Sequence, residues 1–314
     1  MLWRPPTNSD AGAVAALHRR VHPVEPLDYV PGPDYIRWIL GQGTIEPETD
    51  LRVAVDASGT VLAFGGSWPH LTGVGARCFL WAEVDPEAHD LQDGLIAWVL
   101  ARGKEQLTDR SDGSRGMIRF PMEAGRTRAR SAIEAAGFCD FRSFASMERS
   151  VVDPPTAPPL PAGVRVTQWL PEFDASTCDA YNEAFADHWG SLPRTQDMWQ
   201  DVVTGSSQFR PDLSYLAVAD DRVVAFCICE VDEDHNESFG VPEVYIELVG
   251  TVRDSRGHGL ASHLIVRAIE AAAAAGLEVA TLGVDEMSHT NATAVYRRLG
   301  FTVRSRTADY YLEV

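Results

Sequence analysis

Apolar residues recur along this chain at two periods. Alternation at period two, rich in β-branched and aromatic residues, predicts strands at Leu51–Val55, Val61–Phe64, Arg77–Val84, Leu213–Ala219, Val223–Glu230, Tyr245–Val252, Val279–Val284 and Asp309–Val314. Helical spacing predicts Ala11–Val21, with Asp10 as its N-cap, then Asp34–Leu40, Leu91–Gly103, Arg128–Gly137, Asp174–Phe185 and Thr195–Val203. Two further helices follow Gly259 and end at Leu299. Asp56-Ala57-Ser58-Gly59-Thr60 and Asp220-Asp221-Arg222 sit between strand pairs and read as hairpin turns. Residues His22–Pro33 hold four prolines and read as irregular. Asp153–Gly163, DPPTAPPLPAG, has five prolines and no apolar period, and reads as a stiff extended linker.

The pattern on either side of that linker repeats. LRVAVDASGTVLAF (51–64) parallels YLAVADDRVVAFCI (215–228), and AIEAAGF (132–138) parallels VYRRLGF (295–301). Each half offers a hairpin, a long strand, a helix and a terminal helix ending Gly-Phe. Two tandem α/β domains are expected, 1–152 and 164–314, joined by 153–163.

The chemistry concentrates in YIELVGTVRDSRGHGLASHLIVRAIEAAAAA (245–275). A buried strand hands over to a helix through Arg256-Gly257-His258-Gly259-Leu260-Ala261. Two glycines at that junction let the backbone approach an anion closely, and the first helical turn aims free N–H groups and a dipole at it. The loop therefore reads as a pyrophosphate cradle. No G-x-x-x-x-G-K-[ST] is present, and the three-glycine dinucleotide fingerprint is not completed.

What remains, R-x-x-G-x-A after a hydrophobic strand, resembles the acetyl-CoA loop of the GNAT acetyltransferases. Ala294-Val295-Tyr296-Arg297-Arg298-Leu299-Gly300-Phe301 resembles the end of that family's last helix. The two-domain layout resembles the tandem GNAT subfamily of mycothiol synthase-like type, with specific motifs in the second half only. The resemblance implies an α/β fold of two tandem GNAT (acyl-CoA N-acyltransferase) domains, each a mixed, mostly antiparallel sheet flanked by helices. It implies acetyl-CoA as co-substrate, no metal, and direct transfer of the acetyl group to a primary amine of a small molecule. Tyr296 is then the general acid for the leaving thiolate. The base falls to a carboxylate on the long strand: Glu243, Tyr245 and Glu247 share a face. Glu247 is chosen, although the family's base often sits two residues earlier, at Tyr245, and Glu243 remains an alternative. Val249, Gly250 and Thr251 are the expected backbone partners of the oxyanion and the pantetheine arm. Arg256, Gly257, His258, Gly259, Leu260 and Ala261 form the expected diphosphate loop. The family's cofactor-contacting Asn falls at His289, so Asn291 is the nearest candidate amide. His188 and Trp189 lie where the family shapes its acceptor cleft, and with Glu243 and Tyr245 are candidate acceptor contacts. A non-catalytic acyl-CoA-binding or scaffold protein of the same fold is the contrasting reading.

In the first half the corresponding loop is Val84-Asp85-Pro86-Glu87-Ala88-His89-Asp90-Leu91-Gln92-Asp93-Gly94. Its cradle glycines are gone, Asp90 puts a carboxylate where a phosphate would sit, and Ile133 replaces the tyrosine. That half is expected to be structural, or to wall the acceptor cleft.

Composition narrows the setting. The 314 residues carry a net charge of −18, which argues against nucleic acid. Residues 1–150 hold 16 Lys+Arg against 20 Asp+Glu, and the remainder 11 against 25, so the second half carries most of the excess. Arg253, Arg256 and His258 cluster where a polyanionic cofactor needs them. No apolar run of membrane-spanning length and no secretory leader is read, so a cytoplasmic location is expected. Cys78, Cys139, Cys178, Cys227 and Cys229 are scattered and odd in number, as in a reducing compartment, and the Cys227/Cys229 pair lacks further ligands for a metal. Acidic residues 232–237 read as a solvated turn. A monomer is expected, because two fused similar domains satisfy internally what single-domain relatives gain by dimerising.

Overall fold

A computed structural model describes residues 1–72, 75–108, 116–138, 140–288 and 292–314. They form two compact units, Met1–Phe144 with Arg306–Val314, and Ala145–Ser305.

The first unit runs β1 (Leu2–Arg4), α1 (Ala11–Val21), α2 (Pro33–Leu40), α3 (Pro47–Asp50), β2 (Leu51–Val55), β3 (Val61–Thr72), β4 (Gly75–Val84), α4 (Gln92–Thr108), β5 (Gly116–Glu123) and α5 (Thr127–Ala135). β6 (Asp140–Ser150) crosses into the second unit at Ala145. β1–β2, β2–β3 and β3–β4 pair antiparallel, and β4–β5 pair parallel. Val99 and Leu95 of α4 pack on Leu80 and Ala82 of β4 and Ile118 of β5, with Ile133 and Phe138 closing the same core. Asp10 does not cap α1. Its carboxylate accepts from Thr7 N at 2.7 Å and pairs with Arg4, stabilising a 3-10 turn that precedes the helix.

The second unit continues with β7 (Arg165–Gln168), α6 (Asp174–Ala184), α7 (Gln196–Trp199), β8 (Tyr215–Ala219), β9 (Arg222–Glu230), α8 (Glu233–Phe239), β10 (Glu243–Thr251), α9 (Leu260–Ala274), β11 (Val279–Asp285) and α10 (Ala292–Arg298). β7 to β10 pair antiparallel in sequence order, and β10 pairs parallel with β11. Asp220 and Asp221 both take positive φ, 47° and 57°, which suits the tight β8–β9 turn to the right-handed twist of its strands. Two cores flank this sheet. Leu260, Leu264, Ala268 and Ala272, one turn apart on α9, pack on one face with Cys227, Cys229, Val244 and Ile246. Tyr181, Trp199, Phe226, Ile228 and Leu248 fill the other.

The units do not divide at the proline-rich stretch. β12 (Thr302–Glu313) enters the first unit at Arg306, and its residues 307–313 pair antiparallel with β5. That pairing spans nearly two hundred residues of chain, so no local pattern announces it. Residues 153–163 belong to the second unit. Ala157 and Leu160 pack on its core, and His263 of α9 donates through Nδ1 to the Pro158 carbonyl at 2.7 Å. The acidic run expected as a turn is α8: Asp232 caps it by accepting from His235 N at 3.0 Å, and Gly240 ends it in the left-handed region. Among the described residues, no helix is long and apolar enough to cross a membrane.

Candidate active site

β10 is the element on which the site is built. Its register with β9 runs Tyr245 opposite Glu230 and Ile246 opposite Cys229, then jumps to Leu248 opposite Ile228. Glu247 is the extra residue of a β-bulge. The bulge reverses the side-chain phase of the strand: Val244 and Ile246 pack in the α9-side core, whereas Leu248 and Val252 pack in the α6-side core. Bulges re-aim side chains, and this one delivers Glu247 to the open α6 side, next to exposed Tyr245.

The same point begins a second irregularity. Parallel pairing of β10 with β11 covers Glu243–Ile246 and Val279–Leu282 and then stops, although the two strands run on to Thr251 and Asp285. From Glu247 onward, one edge of β10 has no strand partner among the described residues. A backbone edge left in this way supplies N–H and C=O groups to a ligand running between the strands.

Three charged side chains converge on the α6 side. Glu230 ends β9 on the face of Phe226 and Ile228. Arg194 precedes α7, its main chain clamped by Asn182, whose amide accepts from Arg194 N at 2.8 Å and donates to its carbonyl at 2.9 Å. The guanidinium stacks on Tyr181, 4.5 Å from the ring centre, and its Nη1 is buried with no hydrogen-bond partner among the described residues. Glu247 is exposed as a residue, yet the protein around its carboxyl strips part of its hydration. Crowding pushes its carboxyl above the ordinary range, against the downward pull of Arg194. Burial, and then the Glu247 charge, push Glu230 up to about 8. Sequence reasoning missed Glu230 and Arg194. A charged residue closing the apolar run RVVAFCICE was the available signal for Glu230; a loop arginine offers none.

On the opposite face, Tyr296 of α10 is buried in the α9-side core, its ring 6.1 Å from Phe301 in an edge-on contact. Burial pushes its phenol well above the ordinary value, with the Cys227 thiol adding to the rise. Glu247 and Tyr296 thus lie on opposite faces of the sheet.

The glycine loop follows the end of β10. Gly257 and Gly259 both take positive φ, 80° and 76°, a conformation that strains any other residue. Gly259 is the N-cap of fifteen-residue α9 and offers no side-chain cap, so the first N–H groups of the helix are free for an anion. A Cβ at Gly259 would also lie 3.2 Å from Pro158. The basic residues are committed elsewhere. Arg256 donates to the carbonyls of Thr251 at 3.1 Å and Ala184 at 2.9 Å, Arg253 pairs with Asp187, and His258 Nδ1 lies 3.3 Å from the Ser255 carbonyl. They brace the loop, and the anion-binding capacity rests on backbone N–H groups beginning at Leu260 and Ala261.

Glu243 is buried and committed to Arg304 at 2.8 Å, His235 at 3.3 Å and Thr281 at 3.2 Å. Burial would raise its carboxyl, but those partners outweigh burial and hold it below the ordinary range. This removes it from the open cleft expected of an acceptor contact. Gly250 serves packing: a Cβ there would lie 2.3 Å from Phe226. Val249 and Thr251 flank it on the free-edged segment. His188 and Trp189 lie in the half-buried turn after α6, the His188 ring 5.3 Å from Phe185. Asn291 and His289 lie outside the described residues, as does Cys139. A depression is lined by Leu160, Val166, Tyr215, His263 and Arg267.

Residues 175–301 match the model of the Acetyltransferase (GNAT) family. Among curated relatives, N-alpha-acetyltransferase MAK3 of Arabidopsis thaliana is 37% identical over 102 residues, 32% of this chain and 51% of the relative. Mycothiol acetyltransferase of Mycolicibacterium vanbaalenii is 31% identical over 194 residues, 59% of this chain and 61% of the relative. The chain thus spans between about half and three fifths of the length of these relatives. Among solved structures, a GCN5-related N-acetyltransferase from Sphaerobacter thermophilus superposes with a TM-score of 0.72 at 24% identity, covering 99% of this chain and 95% of that one. A tandem GNAT protein from the clavulanic acid biosynthesis pathway superposes at 0.69 and 14% identity, covering 99% and 98%.

Proposed function

We propose, from the premise that this chain is a tandem GNAT fold resembling the mycothiol acetyltransferase type, with its acetyltransferase domain at residues 175–301, that it transfers an acetyl group from acetyl-CoA to a primary amine of a small molecule. The observation that carries this reading is the coincidence at Glu247 of bulge and splay. At this one position the β10–β11 pairing ends and the β9 register slips, and the reading puts its carboxylate at the gap with Tyr296 on the opposite face.

The chemistry follows from that placement. The diphosphate of acetyl-CoA lies on the N–H groups at the start of α9, where the left-handed glycines keep side chains away. Its pantetheine arm pairs with the free edge of β10, presenting the thioester at the gap. The acceptor nitrogen must be neutral to attack, and Glu247, with a raised carboxyl pKa, accepts its proton either directly or through water. An N–H of the free-edged Val249–Thr251 segment stabilises the oxyanion. As the C–S bond breaks, Tyr296 supports the departing thiolate. Its raised pKa keeps it protonated, so it acts first as a hydrogen-bond donor to the developing charge. The acidic second half suits an acceptor that arrives as a cation. Location in the cytoplasm and a monomeric state belong to the same proposal.

Steady-state CoA release over a panel of amines tests the reading. Turnover with at least one amine is expected, and Tyr296→Phe should lose kcat while retaining acetyl-CoA binding. Binding of acetyl-CoA without CoA release for any amine would favour the non-catalytic alternative.

A further inference from the structure

Glu230 has no place in the reaction just described, yet the register fixes it beside the base. It faces Tyr245 across β9 and β10, two positions from the bulged Glu247, on the same side of the sheet. Asn182 clamps the main chain of Arg194 and Tyr181 stacks under its guanidinium, whose charge pulls both carboxyls downward. The charged groups that act here are Glu230 from β9, Asp232 just beyond it, Glu247 from β10 and Arg194 from the segment before α7. Asp232 is turned to other work, accepting from His235 N and from Gln208. Two carboxylates that the register makes neighbours on one face, with a single guanidinium's charge acting on both, do not both ionise at little cost, whereas one proton shared between them leaves a single anion for a single cation.

We propose that Glu230 is the positioning residue of the base: Glu230 and Glu247 share one proton beside Arg194, and the pair, rather than Glu247 alone, takes up the acceptor proton. The inference rests on the acetyltransferase reading of this site. In balance, the N–C bond forms as the acceptor nitrogen attacks the thioester carbon. The nitrogen's proton passes to Glu247, leaving the pair with two protons and no charge. The C–S bond then breaks with Tyr296 bound to the sulfur, and the pair returns one proton to solvent. Holding the resting proton on Glu230 keeps Glu247 anionic, and therefore basic, at neutral pH.

A folded carboxyl raised from 4.5 to about 8 stabilises the fold below 4.5, and that stability drains as pH rises through about 8. The test follows unfolding midpoint and kcat/KM against pH for wild type, Glu230→Gln, Glu230→Asp and Glu247→Gln. Wild type should lose stability from mild acid to mild alkali. Glu230→Gln should flatten that slope and Glu230→Asp restore it. Glu247→Gln should move the remaining step toward the ordinary carboxylate range, because the like charge is gone. The wild-type rate profile should rise in two steps and that of Glu230→Gln in one. At neutral pH, Glu230→Gln should lower kcat on the order of tenfold, less than loss of the base itself, with KM for acetyl-CoA unchanged. Superimposable stability slopes or rate profiles for wild type and Glu230→Gln overturn the proposal, as does a Glu230 step that ignores Glu247→Gln. If wild type transfers no acetyl group, the acetyltransferase reading falls, while the stability curves still decide whether the proton is shared. If Glu230→Gln does not fold, infrared absorption of a protonated carboxyl in the wild type at neutral pH decides: present and diminished in Glu247→Gln, it supports the pair; absent, it overturns it.

Discussion

Both units contain the same opening between parallel strands, and they treat it in opposite ways. In the second unit, β10 and β11 part after Ile246 and Leu282, and the gap is lined by a free strand edge, a bulged glutamate and a glycine loop. In the first, β4 and β5 part after Phe79 and Arg119, yet run on to Val84 and Glu123. There, Arg126 bridges the parted strands. It holds Glu83 through two bonds of 2.8 Å, Glu25 at 3.1 Å and Glu123 at 3.7 Å, and is almost wholly buried. The loop differs in kind as well. Asp85 accepts from Glu87 N at 3.0 Å and pairs with Arg20, so the chain supplies its own anion where the second unit leaves N–H groups free. The same gap is thus left open in the second unit and plugged by an ion-pair network in the first, and on the proposed reading only the open one is a reaction cleft. Sequence reasoning expected this half to lack the chemistry because of its missing cradle glycines, Asp90 and Ile133; the carboxylate that accepts from a loop N–H is Asp85.

The comparison can be broken most forcefully at its two central residues. Glu247→Gln should cut kcat by about a hundredfold or more, with acetyl-CoA affinity retained in a binding titration. Arg126→Ala, by contrast, should leave turnover per folded molecule unchanged. It strands buried Glu83 and should cost about 3–5 kcal/mol in denaturant unfolding. A smaller effect is expected at the loop. Gly259→Ala places a side chain at positive φ and against Pro158, and should weaken acetyl-CoA binding by about 1–2 kcal/mol in the same titration. Smallest is a difference in the sign of the pH response. Hydrogen bonding to Arg4 holds Asp10 of the first unit at about 2, down from 3.8. That contribution is complete above 3.8 and drains as pH falls through about 2, opposite to Glu230. Asp10→Asn should therefore flatten the acid limb of the stability curve and leave the alkaline limb intact.

Much of this contrast was legible in the chain. The strand, glycine loop and helix of the second unit carry period, turn chemistry and motif in agreement, and each appears within two residues of its expected bounds. The bulge left one trace, since adjacent apolar Leu248 and Val249 break the alternation that Tyr245, Ile246 and Glu247 establish. Read as a phase slip, it would have marked Glu247. The plug could not be read, because Glu25, Glu83, Glu123 and Arg126 are scattered and meet only through packing. Nor could the C-terminal strand's place in the first unit, which depends on long-range pairing with β5. The proline-rich stretch carries neither helix nor strand and packs on the second unit's core, which composition does not announce, because it reports stiffness and not what a segment packs against. Buried His235 within α8 shows the same limit for an acidic run.

Equilibrium titration of the full chain with acetyl-CoA tests the central claim most directly. The account predicts one site per chain, weakened by substitution at Gly259 and indifferent to substitution at Arg126. Two sites per chain, or a single site that survives disruption of the glycine loop, would contradict it.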